Sequence, residues 1–452
     1  MSPRHLATVV VSTLAVLTVA PHRMFGADAE PSLEARVRAL EQQLQATQAK
    51  SAAGSSASPV ITADPGNGFS ITSADNQYRF RLSSYIQVDG RYFLNDEADA
   101  LTNTMLIRRA RIIAEGSLGM FDFRVMPDFG NGTATLLDAY ISANLTPAFK
   151  IQAGRFKVPI GLEHLQSDSC VAMIERGFPS QLVPSRDNGV ALSGAFWDGR
   201  LGYQVGVFNG AADGANRDSD NGDDKEGVAR LYGTPFKGES DLLGGLLLGI
   251  AGSYGVDNGT IGTAASGALP SFRTSGHNVF FTYAAATTAA SGPHWRVAPQ
   301  LYYALGPFGL TAEYTISQQE VDSAAEERDI ANHAWQVVAN WVLTGEKATY
   351  KGVAPAHPVT RDGGGWGAWE VIARAHQIDI DDEAFSAGFA APNTAASRAT
   401  AFGVGVTWHL TSYVQIMLNY ERTDFVDGAG AALAPVDRAT EHLIESRLQL
   451  LF

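Results

Sequence analysis

Apolar and polar residues alternate strictly along much of the chain, beginning near Gln77. In the first such stretch one face is apolar and the opposite face is polar or charged. The apolar face comprises Tyr78, Phe80, Leu82, Ile86, Val88, Tyr92 and Leu94, and the polar face comprises Arg79, Arg81, Ser83, Gln87, Asp89 and Arg91. A period of two predicts a β-strand, and this one is longer than the five or six residues of an ordinary strand. A tilted strand that crosses a bilayer and continues beyond it has this length.

Seventeen stretches of this kind follow one another along the chain. They are residues 78–94, 105–118, 121–129, 136–145, 149–157, 189–196, 201–208, 227–236, 245–256, 276–286, 294–305, 308–319, 333–344, 366–378, 399–410, 413–425 and 441–452. Single-chain bacterial membrane barrels use an even number of antiparallel strands. We therefore expect an all-β fold, a transmembrane antiparallel β-barrel of sixteen strands, with one stretch outside it; eighteen strands are the alternative.

The connections between the stretches differ in length, and aromatic residues lie near their ends. Short connections are 146–147, 306–307 and 411–412, and long hydrophilic ones are 213–226, 324–329, 347–365 and 381–397. Membrane barrels have short turns at one end and long loops at the other, so we expect the four long connections to lie outside the cell. The aromatic residues expected at the membrane interfaces are Tyr92, Phe93, Trp197, Phe208, Trp295, Trp341, Trp366, Trp408 and Phe425.

The residues before the barrel divide into three segments. Residues 1–29 have a basic start, an apolar run and an Ala27-Asp28-Ala29 sequence, which predict a cleaved signal peptide; a membrane anchor helix is the alternative. Residues 30–50 carry Leu33, Val37, Leu40 and Leu44 at the spacing of a short coiled coil. This helix would join whole subunits or pack on the barrel rim. Residues 51–76 are a flexible linker, and residues 77–452 form the barrel.

The last stretch ends on an aromatic residue, Phe452. Its apolar residues again alternate with polar ones. An unpaired edge strand would leave backbone groups without partners in lipid, so we expect the last strand to pair with the first. A terminal Phe is also a signal that outer-membrane barrels present to the barrel-assembly machinery.

Composition excludes several functions. Lys and Arg number 33 against 47 Asp and Glu, a net charge of -14, which excludes the basic footprint of a nucleic-acid-binding protein. The one cysteine, Cys170, can form neither an intramolecular disulfide nor a cysteine-based metal site. The ten histidines lack HxH and HExxH spacing, and there is no GxSxG or P-loop sequence. The sequence therefore predicts neither an enzyme nor a cofactor.

Several segments resemble the phosphate-selective porin O and P family, over roughly residues 78–452. They read RFRLSSYIQVDGRYF, IRRARIIAEGSL, DFRVMPDFG, DAYISANL, QAGRFKVPIGLE and MIERGFPSQLVPSRDNGVALSG, in this order. The resemblance implies a homotrimer of sixteen-stranded barrels in the outer membrane of a Gram-negative-type bacterium, in contact with lipid and lipopolysaccharide. It also implies passive diffusion of small anions along lumenal arginines and lysines, with a third loop folded into the pore.

The resemblance and the alternation together give a set of candidate residues. Arg108, Arg109 and Arg111 match the family's basic cluster. Arg109 and Arg111 share the face expected to line the lumen, whereas Arg108 is expected on the other face. The candidates for the pore lining are Arg79, Arg81, Arg91, Arg109, Arg111, Arg124, Arg155 and Lys157. Those for the constriction loop, residues 158–187, are Glu163, His164, Asp168, Arg176 and Arg186. Guanidinium groups suit anions because they are always charged and weakly hydrated. The alternative is that they pair with wall carboxylates.

The constriction loop departs from the family in one respect. Phosphate-specific members carry lysines after the GLE sequence, whereas residues 163–170 here contain none. His164 stands where a lysine is expected and is mostly neutral at pH 7, and Asp168 would repel phosphate. We therefore expect a general or differently selective pore. The alternatives are a non-conducting outer-membrane barrel that tethers to the cell wall, and a secreted soluble β-protein.

Overall fold

The computed structural model describes residues 37, 38, 40–42, 58–66, 68–94, 101–218, 223–262 and 268–452. From residue 58 onward the regular secondary structure of the described chain is almost entirely β-strand. The strands are β1 (Val60–Asp64), β2 (Gly68–Thr72), β3 (Tyr78–Leu94), β4 (Thr104–Leu118), β5 (Phe121–Asp128), β6 (Thr135–Thr146), β7 (Phe149–Lys157), β8 (Arg186–Phe196), β9 (Leu201–Phe208), β10 (Glu226–Gly233), β11 (Leu246–Asn258), β12 (Ser271–Arg273), β13 (Val279–Thr282), β14 (Thr288–Leu305), β15 (Phe308–Ser323), β16 (Glu327–Val342), β17 (Ala368–Asp379), β18 (Ala396–His409), β19 (Val414–Ala431), β20 (Ala434–Asp437) and β21 (Glu441–Leu451). The helices are α1 (Leu162–Leu165) and α2 (Glu383–Ser386), and the 3₁₀ turns are Gly130–Gly132 and Phe178–Gln181.

Sixteen strands close into one antiparallel barrel. Neighbours pair in chain order from β3 to β11 and from β14 to β19, and β11 pairs with β14. Strand β21 closes the ring because it pairs with both β19 and β3. At this seam Phe452 and Ser84 exchange two backbone hydrogen bonds of 2.6 and 2.9 Å. The predicted strand number and the pairing of the last strand with the first are both confirmed.

The predicted stretch 276–286 is not a barrel strand. Its residues Val279–Thr282 form β13, which pairs with β12 in a separate hairpin between β11 and β14. The side chains of Phe280 and Phe281 are 1% and 0% exposed and pack with Phe178 in a hydrophobic cluster. The aromatic residues of this stretch therefore face protein rather than lipid, which the alternation alone could not distinguish.

The barrel wall is apolar on its outer face and polar on its inner face, the reverse of a soluble protein. The outward side chains of Ile250, Val404 and Leu448 are 52%, 56% and 51% exposed, whereas the inward Gln87 and Asp89 are 0% and 1% exposed. An apolar outer band around a polar interior is the pattern of a barrel whose outer face meets lipid. It argues against the secreted soluble β-protein.

One of the four long connections does not lie at the same end of the barrel as the other three, contrary to the prediction. Residues 343–367 join β16 to β17 at the end that also carries the short connections 147–148 and 306–307, which we call the turn end. The opposite end, which carries the connections 209–225 and 380–395, is the loop end. Antiparallel strands alternate in direction, so strand order and not length decides where a connection lies.

Two further expectations need correction. The connection predicted at 324–329 is shorter, because β15 continues to Ser323 and β16 begins at Glu327. Among the aromatic residues expected at the membrane interfaces, Trp197 and Trp341 are 72% and 52% exposed. Three others have buried side chains that lie away from lipid: Phe93, Phe208 and Phe425.

In the predicted linker 51–76, β1 and β2 pair with each other and β2 pairs with β3.

Residues Met1–Ser56 form a separate unit. Its described residues are Val37, Arg38, Leu40, Glu41 and Gln42, which are helical and exposed. The predicted signal peptide and the remaining coiled-coil positions, Leu33 and Leu44, lie outside the described residues. In the part of the chain that the structure describes, no helix combines the length and hydropathy needed to cross a bilayer.

Candidate functional site

Two cavities inside the barrel meet beside the wall formed by β3 to β8. The cavity at the turn end has a volume of about 480 Å³ and the cavity at the loop end about 500 Å³. Three side chains line both cavities and so lie between them: Arg111, Asp168 and Arg186. A solute that moves from one cavity to the other would therefore pass these three side chains.

The opposite half of the barrel interior is filled from both ends. At the loop end the β12–β13 hairpin packs in a hydrophobic cluster with side chains of β15 to β19. From the turn end the connection 343–367 reaches inward, where the Tyr350 hydroxyl donates to the Leu162 carbonyl oxygen at 2.5 Å. Gln166 Nε2 donates to the Tyr350 carbonyl oxygen at 2.8 Å. The space between the two cavities thus follows one side of the barrel.

The cavity walls carry more cationic than anionic side chains, although the whole chain has a net charge of -14. The turn-end cavity is lined by five cationic side chains and two carboxylates, and the loop-end cavity by six arginines and four carboxylates. The cationic residues at the turn end are Arg81, Arg111, Arg124, Lys157 and Arg186. Those at the loop end are Arg108, Arg109, Arg111, Arg176, Arg186 and Arg273.

Asp168 is the central carboxylate between the cavities. Its Oδ2 accepts a hydrogen bond from Arg111 Nη1 at 2.5 Å, and its Oδ1 accepts one from Arg176 and lies 3.2 Å from Arg109 Nη2. Burial acts to raise the pKa of Asp168, but Arg111, Arg176 and Arg109 outweigh it and hold this pKa well below its ordinary value. Asp168 is therefore ionised and charge-compensated, not the isolated repulsive charge that the sequence suggested.

The segment between β7 and β8, residues 158–185, is called the inward segment below. Wall side chains bind its main-chain carbonyl groups. Arg447 Nη1 donates to the Ile174 carbonyl oxygen at 2.8 Å, and Arg374 Nη1 donates to that of Glu175 at 2.6 Å. Gln87 Nε2 donates to the Asp168 carbonyl oxygen at 3.0 Å. These bonds come from three different strands and satisfy carbonyl groups that would otherwise be buried without partners.

The start of the same segment is fixed by two buried glutamates. Glu313 on β15 accepts from the backbone nitrogen of Leu162 at 2.8 Å, where α1 begins. Glu163 accepts from the backbone nitrogen of Gly177 at 2.8 Å, and Gln336 Nε2 donates to both glutamates at 2.9 and 2.6 Å. Glu163 therefore ties the two limbs of the segment together and lines neither of the two cavities.

Arg108 lies on the inner face, contrary to the alternation. The register of β3 and β4 shifts between Gln87 and Val88, which pair with Arg109 and Ile107, so Arg108 is the extra residue of a β-bulge. Its Nε and Nη2 bind the Glu175 carboxylate at 2.6 and 3.1 Å. The bulge turns two consecutive arginines inward.

Arg155 lines neither cavity. It shares the face of Ile151, which is 42% exposed, while the alternate residues Gln152 and Phe156 line the turn-end cavity. The Arg155 side chain is buried, and its Nη1 donates to the Arg217 carbonyl oxygen, in the connection 209–225, at 2.8 Å. Arg155 thus takes no part in lining these two cavities, and its place in the pore lining stays a prediction.

The other arginines predicted for the pore lining differ in their partners and exposure. Arg81 pairs with Glu115, and Arg124 pairs with Glu115 at 2.9 Å. Arg91 lies 3.4 Å from Glu175, and Arg79 is exposed where β3 begins. Three of these arginines, Arg81, Arg91 and Arg124, thus pair with carboxylates, as the alternative interpretation of the sequence expected.

The three remaining candidates lie at or near the two ends of this segment. Lys157 Nζ donates to the carbonyl oxygens of His164 and Gln166, each at 2.7 Å, and Arg186 Nε donates to Asp138 at 2.8 Å. His164 is buried and lines the loop-end cavity. Burial, with Lys157 and Arg176 nearby, lowers the pKa of His164 well below its ordinary value, which keeps the imidazole neutral at pH 7.

Sequence reasoning missed the side chains that hold the inward segments. Besides Arg374 and Arg447, Arg296 binds a second segment, through Asp213 at 2.6 Å and the Ala211 carbonyl oxygen at 2.9 Å. Each of these arginines occupies an inward position of its strand, so the alternation could have placed it inside, but not named its partner. Among the described residues no group of three or more His, Cys, Asp or Glu is arranged to hold a metal ion.

Comparisons with known proteins agree with this architecture. The family model described as phosphate-selective porin O and P matches residues 80–452. Porin O of Pseudomonas aeruginosa is 24% identical over 393 residues, which cover 78% of this chain and 84% of that protein.

Solved structures share the fold at low sequence identity. The outer membrane channel DcaP of Acinetobacter baumannii has a TM-score of 0.53 at 10% identity, covering 84% of this chain and 99% of that one. The anion-selective porin from Comamonas acidovorans has a TM-score of 0.51 at 12% identity, covering 83% and 100%. With its sixteen-stranded barrel and the match over residues 80–452, the chain belongs to the phosphate-selective porin O and P family and is an outer-membrane porin of a Gram-negative bacterium.

Proposed function

We propose that this porin is a passive channel for small anions, with a diffusion path beside β3 to β8 that the segment 158–185 narrows. The observation that carries the proposal is the cationic excess at the junction of the two cavities, where Arg111 and Arg186 face Asp168. Solutes move down their gradient and no covalent step is involved. Charge preference comes from the wall arginines and from Lys157.

The physical argument rests on the local charge. A path through a low-dielectric wall concentrates the field of nearby charges, so a local excess of cations raises the concentration of anions there. The acidic residues that make the whole chain negative lie largely elsewhere. Phosphate specificity is not part of the proposal, because residues 163–170 carry no lysine.

The assembly proposed is a homotrimer. The structure of OmpT of Vibrio cholerae, described as its trimer form, has a TM-score of 0.50 at 10% identity, covering 83% of this chain and 99% of that one. The lipid-facing band supports contact with membrane lipid and lipopolysaccharide. The seam at Phe452 supports delivery by the barrel-assembly machinery.

The test is a planar-bilayer recording of the purified protein with potassium chloride at different concentrations on the two sides. The expected result is a stable conductance whose reversal potential has the sign of chloride preference. A reversal potential of the opposite sign would contradict the anion preference. Closed, non-conducting insertions of folded barrels would favour the structural barrel that tethers to the cell wall.

A further inference from the structure

The Asp168 carboxylate occupies a site that three guanidinium groups form. Arg109 and Arg111 come from the barrel wall and Arg176 comes from the inward segment, and all three lie within 3.2 Å of its two oxygens. The Asp168 side chain is 4% exposed. The three arginines therefore already bind an anion, and this anion is a side chain of the protein itself.

The site is chemically matched to any small oxyanion. Guanidinium groups present planar pairs of N–H donors that suit the oxygens of carboxylate, phosphate and sulfate alike. A carboxylate held by its own backbone has no translational freedom to lose on entering the site, so it competes strongly with a free anion. The backbone of Asp168 is held by Gln87, and the neighbouring Ser169 carbonyl oxygen accepts from Gln449 Nε2 at 3.1 Å.

We infer that Asp168 is a built-in competing anion that determines the specificity of this channel. It prevents a passing oxyanion from binding to Arg109, Arg111 and Arg176 together, so oxyanions cross without being retained. Without the Asp168 carboxylate, the same three arginines would form an oxyanion-binding site at the junction of the cavities. This inference rests on the proposed function, since it concerns anions that cross the same junction.

The test compares block of chloride current by inorganic phosphate in the wild type and in Asp168→Asn, reconstituted in planar bilayers. We expect the half-blocking phosphate concentration to fall by about tenfold or more in Asp168→Asn, because the arginines recover charge-assisted hydrogen bonds to a free oxyanion. Asp198→Asn is the matched control: it removes one carboxylate from a turn that lines neither cavity, and its half-blocking concentration should equal that of the wild type.

A second variant allows the inference to be tested even if Asp168→Asn does not fold. Asp168→Asn leaves three buried cations with one carboxylate fewer, whereas Asp168→Asn with Arg176→Gln removes one charge of each sign. The double variant leaves Arg109 and Arg111 without the Asp168 carboxylate, while Arg111 keeps its bond to Asp128 at 2.7 Å. This double variant should also show a lower half-blocking phosphate concentration than the wild type. If either variant folds, judged by heat-modifiable gel mobility, and is blocked at the wild-type phosphate concentration, the inference is overturned. The wild-type reversal potential tests the anion preference separately, since it does not depend on phosphate block.

Discussion

Arg447 on the last barrel strand binds both carboxylate oxygens of Asp89 on the first, with Nε–Oδ1 and Nη2–Oδ2 distances of 2.7 Å. Both side chains are fully buried. The same guanidinium donates to the Ile174 carbonyl oxygen. One side chain therefore joins the seam of the barrel to the segment folded inside it.

Arg447→Ala should destabilise the barrel strongly, because it leaves the Asp89 carboxylate buried without its partner. Breaking a buried ion pair in this way costs about 3–5 kcal/mol. Urea unfolding of the protein refolded in detergent measures the loss. Arg422→Ala is the control, since Arg422 pairs with Asp424 at an exposed site and such pairs contribute about 0–1 kcal/mol. Equal losses in the two variants would contradict the role of the seam.

Arg186→Gln should weaken the anion preference. The change removes a cation from the junction of the cavities and one of the two arginines that pair with the Asp138 carboxylate. A unit charge near an aqueous path contributes about 1 kcal/mol, so the ratio of chloride to potassium permeability should fall roughly fivefold. Reversal potentials in asymmetric potassium chloride measure the ratio. Arg398→Gln, at an exposed site away from both cavities, should leave it unchanged.

His164 should make the folded protein less stable as the pH falls below about 6.5, the ordinary pKa of histidine. Its pKa is lowered in the folded state, so the unfolded chain binds a proton that the folded chain does not. The contribution of His164 to the free energy of unfolding is thus fully present above that pH. It declines by up to about 1.4 kcal/mol per pH unit below it. Urea midpoints of the wild type and His164→Gln at pH 5 to 8 measure the effect. An identical pH dependence of the two proteins would rule out a buried neutral imidazole.

Gly177→Ala should displace the inward segment from the wall. A Cβ at Gly177 would lie 2.9 Å from Cδ of Gln336, which cannot move freely because it bridges Glu163 and Glu313. Overpacking of this kind costs about 1–3 kcal/mol, measured by urea unfolding, and should also change the single-channel conductance. Gly227→Ala is the control, because its Cβ would meet only an ordinary contact at 3.8 Å. Unchanged stability and conductance in Gly177→Ala would show that the segment tolerates displacement.

The sequence predicted the wall of the barrel better than its interior. The alternation from Tyr78 to Leu94 identifies the lipid-facing side chains, because a membrane strand has only two environments, one on each face. The same rule fails at Arg108, where one inserted residue reverses the expected face.

The interior depends on contacts between residues far apart in the chain. Asp168 lies 57 positions from Arg111, so nothing in its local sequence shows that its charge is compensated. The direction of the connection 343–367 follows from the strand count, which becomes known only when stretch 276–286 is removed from the barrel. These features could not be read from local patterns.

The wall holds the inward segment in part through its main-chain carbonyl groups, as at Ile174 and Glu175. Every amino acid carries such a carbonyl, so these anchors do not depend on which side chains the segment displays. A side chain of the segment that takes no part in holding it to the wall can therefore be replaced while the path of the segment is kept. One barrel of this design can acquire a new solute preference by point mutations, without having to evolve a new way of folding its loop.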